Sequence, residues 1–243
     1  IFGFGWRESS PKKKSKHLVM KQLGLPISLN SKMLLSNFSV EKNQALLAFI
    51  DDLFAQEHSS VVFISGDKSS GKTHLLQGCI FKALEQGLQA VYLDIKQTLP
   101  SDFLNTLADY DWVCVDNIDQ LDTTQQQELF DLYNQIKQTK TKLIVSASAR
   151  PGELTLLTDL KTRLSLAVVY RLEQLDDQEK IDLIQRKMQD RNLEIDDKVY
   201  AYLFKVFSRD LSVVLSAIDQ LDQESLRQKN PISIPFVKKI LKL

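Results

Sequence analysis

A chain of 243 residues, 43% of them hydrophobic, suits one medium α/β unit with a small helical appendage and is apolar enough to bury a core. Lys plus Arg and Asp plus Glu both number 31, so the net charge favours neither non-specific nucleic-acid binding nor a membrane surface. No apolar run approaches the roughly 18 residues of a spanning helix and no secretory leader pattern is visible, so a soluble, non-exported protein is expected.

Residues 1–19 mix Gly, Ser, Pro and a Lys cluster (Lys12–Lys16) with no sustained period, and read as a mobile, solvated tail. The first residue is not Met, which makes Met20 a candidate start. Gln22, Leu23, Leu25, Pro26 and Ile27 then form an apolar strip that Gly24 and Pro26 keep from being helical. It could pack on its own domain, or extend and offer Leu25 and Ile27 to an apolar pocket on a partner, with Gln22 anchoring by hydrogen bonds. Residues 1–35 are thus expected to be a flexible N-terminal segment. Ser36–Val40 leads into a helix from about Glu41 to Gln56, whose Leu46, Leu47, Ile50, Leu53 and Phe54 recur at helical spacing. The start of this helix, with Asn37, Phe38, Val40 and Asn43, either lies over the base of a bound nucleotide or serves packing alone.

The run Val61–Ile64 stops at Gly66, and a helix-compatible segment begins near Lys72. Gly66, Asp67, Lys68, Ser69, Ser70, Gly71, Lys72 and Thr73 therefore fill every fixed position of G-x-x-x-x-G-K-[ST] between a strand and a helix, as a phosphate-binding loop requires. The glycines let backbone N–H groups turn inward, the helix N-terminus adds partial positive charge, Lys72 can reach the β- and γ-phosphates, and the Thr73 hydroxyl can ligate Mg²⁺. ADP or ATP with Mg²⁺ is the expected occupant; His74 is expected to pack rather than ligate.

The chain then alternates strand and helix: helix Lys72–Gln86, strand Ala90–Leu93, a shorter helix near Ser101–Ala108, strand Trp112–Val115, helix Thr123–Gln138, strands Leu143–Ala147 and Ala167–Leu172. Such alternation predicts an α/β fold with a five-stranded parallel sheet covered on both faces, ligands binding at the carboxyl ends of the strands. Helical patterns near 176–190, 196–207, 210–226 and Pro235–Leu241 predict a small α-helical lid. The expected division is 36–174 for the nucleotide-binding domain and 175–243 for the lid. Cys79 and Cys114 fall in an apolar helix and strand and read as buried thiols of a reducing cytoplasm.

Trp112–Val115 runs into Asp116, Asn117, Ile118 and Asp119. A carboxylate at the tip of a strand taken to lie beside the phosphate strand places Asp116 with Thr73 as the Mg²⁺ holders. Asn117 stands where nucleotide-hydrolysing proteins of this architecture carry a water-activating carboxylate; an amide can position a water but cannot take its proton, so little intrinsic hydrolysis is expected. Asp119 could substitute, although three residues on it is expected to face a neighbouring surface. At the next strand tip Ser148, preferred over Ser146, either touches the γ-phosphate or ends an ordinary turn. Arg163, on a short helical piece before the last strand, and Arg209, at the start of the third lid helix, are candidates for a trans arginine finger and a phosphate-sensing cation, or else make surface salt bridges.

Together these segments resemble the AAA+ family, and within it the branch of the replication initiator DnaA and the regulators that inactivate it. The likeness is carried by SNFSVEKNQALL (36–47), GKTHLL (71–76), VCVDNID (113–119), FDLYNQI (130–136), LKTRLS (160–165), AIDQLD (217–222) and IPFVKKILKL (234–243). It implies an AAA+ P-loop NTPase core with a helical lid, Arg163 as arginine finger, Arg209 as second sensor, and QLGLPI (22–27) as a peptide for the sliding clamp of the replicative polymerase. The first sensor departs from the family pattern, with Ser148 or Ala149 in place of Asp. The chain ends at Leu243 without the initiator's helix-turn-helix DNA-binding domain. The resemblance therefore implies a cytoplasmic negative regulator of replication initiation that, with DNA-loaded clamp, stimulates hydrolysis of ATP on DnaA; it allows a homodimer or homo-oligomer and contact with DNA only through the clamp. A self-sufficient ATPase of helicase-loader type and a nucleotide-gated DNA-binding module are the alternatives.

Overall fold

Five short apolar runs form the strands β1 (Ser60–Ser65), β2 (Ala90–Asp94), β3 (Trp112–Asp116), β4 (Lys142–Ala147) and β5 (Val168–Arg171). The computed structural model describes residues 29–31, 33–38, 42–189, 193, 195–207 and 211–243. Gln22, Leu23, Leu25, Pro26, Ile27, Val40 and Arg209, singled out above, lie outside the described residues. All strand pairs are parallel, in the order β2-β3-β4-β1-β5.

This order corrects one expectation. β3, which carries Asp116, is not beside the phosphate strand β1, because β4 lies between them. Hydrophobic periodicity identifies strands but carries no information about which of them pair, and the chain here skips past β1 and later fills the gap. The switch in direction opens the crevice at the carboxyl ends of β1, β4 and β3.

Around the sheet run α1 (Gln44–Ala55), α2 (Lys72–Glu85), α3 (Thr123–Ile136) and α4 (Thr158–Ser165). One apolar cluster joins α1 and α2 to Val62, Ile64, Tyr92, Trp112, Cys114 and Ile144; the other joins α3 and α4 to Phe63, Val113, Val115, Leu143 and Val145. Alternate residues of each central strand thus feed opposite layers, the reason those strands read as unbroken apolar runs. Phe54 stacks on Trp112 with ring centroids 4.0 Å apart. α3 starts where Asp122 and Gln125 close a reciprocal capping box. The expected helix near Ser101–Ala108 is a 3-10 stretch, Leu104–Asp109, and its entry loop is held by buried Glu128, which accepts the N–H groups of Asp102 at 2.9 Å and Leu104 at 3.2 Å.

Coverage on both faces holds for the inner strands and fails at β5. Val168 and Val169, on opposite faces of this edge strand, are both exposed, and Leu166 just before it is 71% exposed. Beyond β5 come α5 (Asp177–Gln189), α6 (Asp197–Val206), α7 (Leu211–Gln228) and α8 (Ile234–Leu241), with a separate core of Ile184, Leu203, Ile218, Leu221, Phe236 and Val237. Ser233 caps α8 and Asp196 caps α6.

Candidate functional site

The loop between β1 and α2 has the backbone that its glycines and serines predict. Gly71 takes φ 98° as the residue before α2, and Ser69 takes φ 64°, a left-handed turn that aims successive N–H groups inward. There is no room for side chains: a Cβ on Gly66 would lie 2.6 Å from Ser70 Oγ and 2.9 Å from the Leu172 carbonyl oxygen, and one on Gly71 would lie 3.0 Å from the Phe38 ring. The Lys72 ammonium curls over the loop, donating to the carbonyls of Gly66 at 2.6 Å and Asp67 at 2.8 Å. Burial lowers its pKa, opposed by the carboxylates of Asp116, Asp119 and Asp67. Ser70 Oγ is buried with no hydrogen-bond partner among the described residues.

A cleft beside the loop is lined by Phe38 and Asn43 before and at the start of α1, by Ser70, Gly71 and His74, and by Leu175, Lys180, Leu183 and Leu211 from the helical unit. His74 sits edge-on to Phe38, with centroids 5.4 Å apart, and its Nε2 is 2.9 Å from the Leu34 carbonyl oxygen. Asp67 and Lys68 are exposed at the loop tip, where Asp67 faces Arg171 at 3.7 Å and the Lys68 carbonyl accepts from Gln174 Nε2 at 2.5 Å.

Although β4 intervenes, Thr73 and Asp116 meet. α2 crosses β4 to pack on β3 and β2, and its first turn brings Thr73 Oγ1 to Asp116 Oδ2 at 2.5 Å. Asp116 is fully buried, and each of its oxygens takes two donors. Oδ2 also accepts from the Tyr92 hydroxyl at 2.9 Å, while Oδ1 accepts from the Ser146 hydroxyl and from the Asn117 N–H at 3.1 Å. Ser146, at the end of the interposed strand, is thus the serine at the Asp116 carboxylate, and Ser148 instead donates to Asp119 at 3.2 Å.

Asn117 adopts φ 61°, and its Nδ2 donates to Asp94 Oδ1 at 2.9 Å across the tip of β2. The left-handed residue and the 3-10 turn Ile118–Gln120 carry the chain back over β4. Asp119 thereby meets Ser148, and its Oδ1 is buried without a hydrogen-bond partner among the described residues. Arg163, near the end of α4, is half-buried and makes no ion pair among the described residues.

Residues 29–171 match the family model of the bacterial DnaA ATPase domain, more than half of the chain. The chain belongs to the bacterial DnaA ATPase-domain family. Residues 177–241 match a second family model, the lid domain of Hda, so a DnaA-type core is followed by an Hda-type lid. The architecture agrees with solved members of the DnaA family. Domain III of the Thermotoga maritima replication initiation protein DnaA superposes with a TM-score of 0.70 at 20% identity, over 88% of this chain and 98% of that one. AMPPCP-bound DnaA from Aquifex aeolicus superposes with a TM-score of 0.66 at 24% identity, over 83% of this chain and 69% of that one. A wider relative in fold is a variant of Thermotoga maritima RuvB, TM-score 0.64 at 15% identity, over 86% of this chain and 71% of that one.

Within this DnaA-type core the residues fit a magnesium nucleotide. The buried, unpartnered Ser70 hydroxyl lies beneath a cradle that any Cβ at Gly66 would fill, and the Thr73–Asp116 pair supplies one hydroxyl and one carboxylate. Among the described residues no three His, Cys, Asp or Glu cluster as a metal cage. A hard cation here would take its remaining ligands from phosphates and water, as Mg²⁺ does. Among the described residues no helix is long and apolar enough to cross a membrane.

Two groups in this site escape a reading of the sequence alone. Tyr92 lies inside the apolar run of β2, where tyrosine reads only as a strand former, and Asp94 at the same strand's end reads as its polar stop. The register Asp94↔Asp116 makes both visible, since it sets β2 directly alongside the carboxylate strand.

Proposed function

We propose that this chain is a negative regulator of replication initiation that binds ADP or ATP in its own cleft and promotes hydrolysis of ATP held by DnaA. In its own site Gly66–Thr73 would cradle the phosphates, Phe38, Val40 and His74 would flank the base, Ser148 and Arg209 would approach the phosphates, and Thr73 with Asp116 would hold Mg²⁺. The cation, when bound, would neutralise phosphate charge. Intrinsic turnover is low because Asn117 cannot take a proton and its amide is committed to Asp94.

The observation that carries the reading is the contrast between that site and Arg163. The guanidinium has no carboxylate partner among the described residues, and the chain that follows it exposes Leu166, Val168 and Val169 at the edge strand β5. An unpaired cation close in sequence to exposed apolar side chains at a sheet edge has the composition of a docking face. There Arg163 would enter the partner's site and neutralise transition-state charge, an effect worth roughly 10³–10⁵ in rate. Gln22, Leu23, Leu25, Pro26 and Ile27 would tether the chain to the DNA-loaded sliding clamp, bringing it to DnaA and leaving ADP-bound, inactive initiator. The test is ATP hydrolysis in a mixture with DnaA and loaded clamp. Arg163→Ala is expected to lose the stimulation while retaining nucleotide binding; unimpaired stimulation would remove the mechanism.

A second reading, a self-sufficient ATPase of helicase-loader type, draws on Asp119, whose buried, unpartnered Oδ1 lies close enough for its charge to act on Lys72. Turnover by the protein alone that is lost in Asp119→Ala would favour it.

A further inference from the structure

Polar groups line the space under α2 between Asn30 and Asp116. The Asn30 N–H donates to Gln77 Oε1 at 2.8 Å, and Gln77 is buried on α2 one turn after Thr73. The Gln77 side chain also lies near the Tyr92 hydroxyl. Tyr92 then donates to Asp116 Oδ2, the oxygen that also takes the Thr73 hydroxyl. A phenylalanine would fill the same space in the apolar layer, whereas a buried hydroxyl costs free energy unless it is paired.

The four donors on Asp116 are not equivalent. Thr73 is the one that would turn to a cation, which leaves the Tyr92 hydroxyl as the only side-chain donor holding Oδ2 among the described residues, with Ser146 and the Asn117 N–H on the opposite oxygen. We propose that Tyr92, backed by Gln77, is a positioning residue for the magnesium–nucleotide site: its hydroxyl fixes the plane of the Asp116 carboxylate and thereby sets how tightly the cation is held. The inference rests on the nucleotide reading above. It adds a residue from a strand that does not touch the phosphate loop and ties the site to the segment at Asn30.

The test is Tyr92→Phe, which deletes one oxygen and keeps the packing. Binding of a fluorescent ADP is titrated against Mg²⁺ and repeated in EDTA, alongside thermal unfolding. Loss of a group that orients a metal ligand weakens metal binding by about tenfold or more, so the Mg²⁺ midpoint is expected to rise by about tenfold while affinity in EDTA and the Tm hold. Gln77→Met, which removes the backing and leaves the hydroxyl, is expected to move the midpoint the same way by less. An unchanged or lowered midpoint in Tyr92→Phe, or equal loss of binding with and without Mg²⁺, overturns the assignment while leaving the nucleotide site standing. A parent protein that binds no nucleotide overturns both.

Discussion

Asn117 follows Asp116 at the tip of β3, and its local partner predicts what a carboxylate at this position would do. Its Nδ2 donates to Asp94 Oδ1 at 2.9 Å, an oxygen that also accepts the Lys96 N–H at 3.1 Å. Asn117→Asp removes the donor and sets two acceptors against each other. Two unit charges at that distance repel by roughly 1 kcal/mol in bulk water and roughly 6 kcal/mol at an effective dielectric of about 20; the half-buried pair lies between, at roughly 3 kcal/mol. Since one pKa unit is about 1.4 kcal/mol, the introduced carboxyl should titrate about two units above its unfolded value. Between those two values the native state binds more protons than the unfolded chain, so stability falls as pH rises. The variant should match the parent near about pH 4 and fall roughly 3 kcal/mol below it by about pH 8, several degrees in Tm. Thermal unfolding followed by circular dichroism across that range reads the difference. Asp94→Asn combined with Asn117→Asp exchanges donor for acceptor and should recover most of the loss. Both variants would present a largely ionised carboxylate beside Asp116 at neutral pH, the double one without the loss of stability, and ATP turnover by the protein alone should rise most clearly there. A single variant as stable as the parent at about pH 8, or a double variant no more stable than the single, refutes the opposed geometry.

Gly78→Ala should destabilise although alanine is the better helix former by about 1 kcal/mol. The new Cβ would lie 2.8 Å from Leu35 Cδ2 and 3.0 Å from the Leu35 backbone nitrogen, which cannot swing aside as a side chain can. Overpacking of this kind costs about 1–3 kcal/mol, so the urea midpoint should fall; a higher midpoint would detach the Leu35 segment from α2. Both thiols should resist alkylation: burial pushes Cys79 up to about 12 and Cys114 well above its ordinary value, leaving almost no thiolate in the native protein. Mass spectrometry after iodoacetamide should find neither labelled without denaturant and both labelled with it, and native labelling at either position would contradict that burial.

What can be read in the sequence divides by distance along the chain. The phosphate loop occupies eight contiguous residues whose geometry is local, and Gly66, Gly71, Lys72 and Thr73 serve one turn between one strand and one helix. The lid helices announce themselves through spacing and caps such as Ser233, again within a few residues. The carboxylate proposed for the metal is also visible, because an Asp at the end of Trp112–Val115 needs only a strand to place it at a tip. Its surroundings are not. Tyr92, Ser146 and Asn117 reach Asp116 from three strand ends, the first two through contacts 24 and 30 residues apart in sequence. No periodicity contains those contacts, because they depend on strand order, and the order departs from the expected one at the single place that matters for chemistry. With β4 between β1 and β3, its last hydroxyl, Ser146, lands on the carboxylate, and Ser148, just past the strand's end at Ala147, reaches Asp119. The interposed strand therefore decides which serine meets the carboxylate, since the tip of β4 is where the loop and the carboxylate converge.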